Sequence, residues 1–126
     1  MRNVLVFSVL LILGVKMGWD YLASDKFQAY GDRTKAPWTC SVDFWMGEYM
    51  TVLSEYDDAT RMFGIVADRC PASETGERAA FELAGTLESD GKRAAAIDAY
   101  QKFLEKYPAS SRAKLAEKSI GMLRTS

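Results

Sequence analysis

One stretch of this chain is written twice, and that constrains its fold more than anything else in it. Residues 57–71, "DDATRMFGIVADRCP", and residues 94–108, "AAAIDAYQKFLEKYP", align by their prolines. Pro71 and Pro108 are 37 positions apart, as are Ala59 and Ala96, and Phe63 and Tyr100. Each copy has an alanine, an aromatic four residues on, and a proline after the helix. Residues four apart share one helix face. The alanine lets a neighbouring helix approach, the aromatic fills the space beside it, and the proline prevents the helix from continuing.

The preceding segments repeat at the same offset. "DFWMGEYMTVLSEY" places Met46 and Gly47 ahead of Ala59, and "AAFELAGTLESDG" places Leu83 and Ala84 ahead of Ala96. Each is a large residue beside a small one, the pairing expected where two helices cross. Gly91 supplies a left-handed turn between the helices of the second copy. Asp57 and Asp58 are expected to cap the second helix of the first.

This pattern resembles the tetratricopeptide repeat (TPR), a helix-turn-helix unit with a large-small pair in its first helix and alanine, aromatic and proline in its second. Residues 77–108 match well, whereas residues 40–71 are degenerate, with Phe44 and Trp45 one or two places off the usual aromatic position. The spacing exceeds the usual repeat of about 34, so the loop "CPASETGE" is expected to be slightly long. "YPASSRAKLAEKSIGML" resembles the junctions of bacterial envelope members of the family, and Gly121 falls 37 after Ala84, as the first helix of an unfinished third repeat would. The resemblance covers residues 40–124. It implies an all-α fold: two helical hairpins and a C-terminal capping helix in a short α-solenoid, with a role in protein–protein binding.

In that family the inner groove is lined by fixed positions of each first helix. Carried onto this chain, they are Ser41, Phe44, Glu48 and Thr51, then Arg78, Phe81, Gly85 and Glu88. Phe44 and Phe81 are expected to form an apolar strip, with Glu48, Arg78 and Glu88 setting orientation. A broader docking surface would include Trp45 and Tyr49. The alternative is that both phenylalanines are simply core. About three repeats are usually needed for stability, and the first hairpin has none before it. Its large residues, Phe44, Trp45, Tyr49, Met50 and Met62, exceed what one internal face uses. Either residues 19–38 or a partner is expected to cover the surplus.

At the N-terminus, "VLVFSVLLILGV", residues 4–15, follows Arg2. Twelve apolar residues are too few to cross a bilayer, which takes about 20. Extension to Ala23 reaches that length if Lys16 snorkels and Trp19 and Tyr21 sit in the aromatic belt. A cleaved signal is the competing reading, but Tyr21 or Lys16 would occupy the position three before the cut, where a small residue belongs. The favoured organisation is a transmembrane anchor over residues 1–24, a juxtamembrane linker over 25–39 and a TPR-like domain over 40–124. Residues 24–30 are compatible with a continuing helix, and "GDRTKAPWT", residues 31–39, reads as loop. With the basic end inside, the bulk of the chain is expected outside the cytoplasm; the resemblance to bacterial envelope proteins then implies a bacterial inner membrane, single-pass, with N-terminus cytoplasmic and C-terminal domain periplasmic. Other membrane or periplasmic proteins, and the lipid bilayer, are the expected partners.

Cys40 opens the first helix of its hairpin and Cys70 closes the second, so an antiparallel hairpin brings them to one end. Helix axes pack about 8–10 Å apart and a disulfide needs Cα atoms about 4.4–6.8 Å apart. In an oxidising compartment the pair is expected to bond, closing a loop of about 30 residues for roughly 3–4 kcal/mol. Two buried free thiols are the alternative.

Composition narrows the chemistry. The chain has no histidine and a net charge of −1, which removes the commonest general base and metal ligand and gives no basic footprint for nucleic acid. Two cysteines alone cannot build a four-ligand zinc site. "ESDGK", residues 88–92, lacks the alternating oxygen ligands of a calcium loop, and "GTLESDGK" is no P-loop, since Arg93 stands in the hydroxyl position. No enzyme activity, cofactor or metal is expected.

Overall fold

The structure is a computed structural model describing residues 2–34 and 36–126. Among the described residues it is entirely helical, with seven helices and no strand. It divides into two compact units, Met1–Lys35 and Ala36–Ser126.

The first unit holds α1, Arg2–Leu22, and α2, Asp25–Thr34. Asn3–Leu22 is long and apolar enough to cross a membrane, and none of it is buried. Ser8 donates its hydroxyl to the Val4 carbonyl at 2.8 Å, so the one hydroxyl in the apolar run is satisfied within its own helix. The helix breaks at Ala23–Ser24. Ser24 Oγ then accepts the backbone N–H of Phe27 at 3.4 Å, an N-cap for α2. The Tyr21 and Phe27 rings meet edge to face across this break.

The second unit holds α3, Pro37–Val52; α4, Tyr56–Arg69; α5, Glu74–Ser89; α6, Arg93–Lys106; and α7, Ala113–Thr125. Each packs on the next in the chain, and α3 also touches α5. The linker expected over residues 31–39 is mostly helix: α2 continues to Thr34 and α3 begins at Pro37. Proline's fixed φ suits the first helical position, where its missing N–H costs nothing, so the residue read as a loop signal opens a helix.

The repeat is written in the backbone as well. α3 and α5 each have 16 residues, and Pro37 and Val52 become Glu74 and Ser89 after a shift of 37. α4 and α6 each have 14, and Tyr56 and Arg69 become Arg93 and Lys106. The residues before α4 and α6, Glu55 and Lys92, have φ/ψ of −84/67° and −85/70°. The positive-φ positions correspond too: Ser54 at 61° and Gly91 at 76°. Gly91 is the left-handed turn residue the sequence implied. The first copy forces the same conformation on a serine.

Two local expectations change. Asp57 and Asp58 are not caps, because α4 starts one residue earlier, at Tyr56. They lie in its first turn, where carboxylates suit the helix dipole; Asp57 pairs with Lys92 at 3.1 Å and Asp58 with Arg61 at 3.6 Å. The loop "CPASETGE" is shorter than expected, since α5 begins at Glu74. Ser73 caps it by accepting from the Gly76 N–H at 3.0 Å. Gly76 sits so close to the Cys70 carbonyl that a Cβ would lie 1.7 Å from its oxygen. Only glycine admits this join between the hairpins.

Two apolar clusters fill the unit. Cys40, Phe44, Ala59, Phe63, Val66, Ala67 and Ala79 form one; Ala84, Tyr100, Phe103, Ala116 and Ile120 form the other. Ala80 packs against both. The alanine, aromatic and large-small positions read from the repeat supply much of this core.

Candidate functional site

Phe44 lies on the face of α3 that meets α4 and is only 6% exposed. Its ring packs against Phe63, centroids 5.5 Å apart. On its other side the Arg78 guanidinium lies 4.7 Å from the ring centroid, a cation–π contact. Arg78 also reaches Glu48 at 3.5 Å, both side chains about two-fifths exposed. Glu82, one turn on from Arg78, is pushed above the ordinary carboxylate range, first by burial and then by the Glu48 charge. A cavity of about 370 Å³ opens here, lined by Glu48, Thr51, Val52, Phe63 and Glu82.

Phe81 goes elsewhere. Its ring stands edge-on to Tyr100 and Phe103, at 5.8 and 5.5 Å. The expected strip of Phe44 beside Phe81 therefore does not form: each ring is drawn into the core of its own hairpin. Glu88 accepts the Tyr100 hydroxyl proton at 2.8 Å. Burial is the main reason the Tyr100 hydroxyl is pushed up to about 12. Of the remaining groove positions, Ser41 is exposed, Thr51 bonds back to the Gly47 carbonyl at 3.0 Å, and Gly85 lies under the Tyr100 hydroxyl. Trp45 and Tyr49 are exposed. Met62, assigned to the surplus of the first hairpin, is fully buried.

Cys40 and Cys70 are paired, Cα atoms 6.6 Å apart. One turn along, Arg69 donates to Asp43 at 2.7 Å, the two side chains 3% and 0% exposed. This buried ion pair, absent from the sequence reading, ties the same two helices as the disulfide. A larger cleft, about 520 Å³, was also missed; its floor includes Ala67, Ala80, Ala99 and Phe103, with Asp98 and Lys102 at its rim. Its signal is the run of alanines in α6, too small to fill the space against α4. Among the described residues no group of three or more acidic or cysteine side chains converges as a metal site. Neither the known family models nor the curated proteins contain a match to this chain, so the likeness to TPR units rests on the repeat itself.

Proposed function

We propose that this chain is a membrane-anchored, TPR-like scaffold or accessory subunit that holds proteins of an envelope complex together. In this reading α1 is retained as a single-pass anchor with its N-terminus cytoplasmic, and the remaining helices form a short solenoid in the periplasm, capped by α7. The observation that carries it is the coincidence of helix bounds in the two copies after a shift of 37. Two equivalent hairpins stacked in series are the basis of the TPR docking surface. Glu48, Arg78 and Glu88 supply its charge, while Phe44 and Phe81 support it from beneath. No catalytic or cofactor role forms part of the proposal.

The test is purification from native membranes in mild detergent, with Glu48→Lys as the paired variant. Wild type is expected to bring down a partner in fixed stoichiometry, and the variant to lose it with helicity unchanged. Wild type that elutes alone contradicts the proposal. A second reading, a peptide-binding periplasmic adaptor, is favoured by the cavity beside Glu48 and Glu82. Weak, exchangeable peptide binding would select it. A secreted form after signal cleavage is the third reading, and intact mass separates it from both.

A further inference from the structure

On the face shared by α3 and α5, carboxylates outnumber the cations that meet them. Glu48, Thr51 and Val52 lie on one side of α3 at helical spacing. With Phe63 of α4 and Glu82 of α5 they line the cavity of about 370 Å³. Arg78 is held over the Phe44 ring at 4.7 Å and reaches Glu48 at 3.5 Å, but it does not line the cavity. Arg112 lies against Glu77, at 3.8 Å. Among the described residues Glu82 makes no ion pair, and it feels both guanidiniums only at longer range. Three carboxylates (Glu48, Glu77, Glu82) thus face two guanidiniums, which leaves one negative charge at the cavity. The Thr51 hydroxyl donates to the Gly47 carbonyl at 3.0 Å, so its oxygen can still accept. The second hairpin has no equivalent site. After the shift of 37, Glu48 and Val52 become Gly85 and Ser89, and Thr51 becomes Glu88, which accepts from Tyr100.

We propose that this cavity receives one lysine or arginine side chain from the protein partner. The inference rests on the docking surface of the proposed function and names what the partner presents to it. Charge gives the first argument. One added cation between Glu48 and Glu82 balances the cluster, whereas an added anion would meet both carboxylates. The mixed lining gives the second. Phe63 and Val52 are apolar, and Val52 is 81% exposed at the edge; the two glutamates and the Thr51 oxygen supply acceptors. Lysine and arginine lay an aliphatic stem along apolar surface and keep the charged head among acceptors. Size gives the third. The cavity stands near the lower end of the range of about 300–1,000 Å³ for ligand pockets, room for one side chain and its flanking backbone but not for a helix. Burial and the Glu48 charge already raise the Glu82 carboxyl, as expected where a counter-charge is missing.

The experiment titrates the full chain, in uncharged detergent, with the Nα-acetyl amides of lysine, arginine, norleucine and glutamate. Methyl resonances of Thr51 and Val52 report occupancy. Lysine or arginine is expected to shift both saturably, about ten-fold more tightly than norleucine, as charge-assisted contacts imply, and added salt to narrow the gap. E48Q combined with E82Q, its fold checked by circular dichroism, should reduce the cations to the norleucine level. Equal binding of norleucine, tighter binding of glutamate, or no saturable shift with either cation overturns the proposal. So does cation binding that survives in the double variant. The complex purified from native membranes separates this inference from the reading beneath it. A partner retained equally by wild type and double variant overturns the basic side chain and leaves the scaffold standing. Wild type that elutes alone removes the scaffold reading, and this inference with it.

Discussion

The two hairpins share a backbone and differ in what closes them. Cys40 and Cys70 correspond, after the shift of 37, to Glu77 and Tyr107. The first hairpin joins these positions covalently and adds the buried Asp43–Arg69 pair. The second closes through its neighbours: the Tyr107 hydroxyl donates to the Pro71 carbonyl at 2.7 Å, Ser110 donates to Glu77, and Arg112 lies 3.8 Å from Glu77. Its interior is aromatic, with Tyr100, Phe81, Phe103 and Tyr107 in a chain of ring contacts. Where Asp43 stands in the first hairpin, the second has Ala80, which packs against both cores. A repeat between two others is clamped by them; the first hairpin has no repeat before it and carries its own clamp.

That contrast can be broken at graded cost. Asp43→Ala removes one partner of a buried ion pair and strands the Arg69 charge, a loss of about 3–5 kcal/mol. Chemical denaturation should show it as a lower midpoint with unchanged slope. Replacing both cysteines by serine removes a cross-link worth about 3–4 kcal/mol. Hydrogen exchange should then rise in α3 and α4 more than in α5 and α6. Equal loss in all four would mean that the hairpins share one clamp. Gly47→Ala tests the helix crossing, because its Cβ would lie 2.8 Å from the Phe63 ring. Overpacking of this kind costs about 1–3 kcal/mol, while Ala84, its counterpart, already carries the methyl group.

The smallest expected effect is one of pH. Burial, then Glu48, raises the Glu82 carboxyl above its ordinary 4.5, so the folded protein holds this proton more tightly than the unfolded one. Stability from this group is complete below 4.5 and is lost as pH rises through the raised value. Glu82→Gln should therefore raise the melting temperature at neutral pH and leave it unchanged well below 4.5. A gain that persists in acid would assign the effect to packing instead.

The repeat was legible because its marks are local. Alanine, aromatic and proline act within one helix and its exit, so they survive in a bare sequence. The cysteine pairing was legible for a related reason: hairpin geometry alone brings the two ends together. What lay hidden was partner choice. Phe44 and Phe81 occupy equivalent register positions, yet the Phe44 ring packs between Phe63 and Arg78 while Phe81 turns to Tyr100 and Phe103. Asp43 and Arg69 each look like ordinary surface charges. Only the packed hairpin shows them buried together, 26 positions apart. Asp57 and Asp58 misled because a carboxylate suits both the cap and the first turn, and composition does not separate the two.

The proposed function requires the first hairpin to be closed covalently, outside the cytoplasm, on a chain that keeps its anchor. The most direct measurement is intact mass of protein taken from its native membrane, denatured without reductant and alkylated. The expected result is one species at full-chain mass with no alkyl adduct. Two adducts would show the hairpin open in its own compartment, and a mass beginning near Ser24 would show the anchor removed; either contradicts the claim.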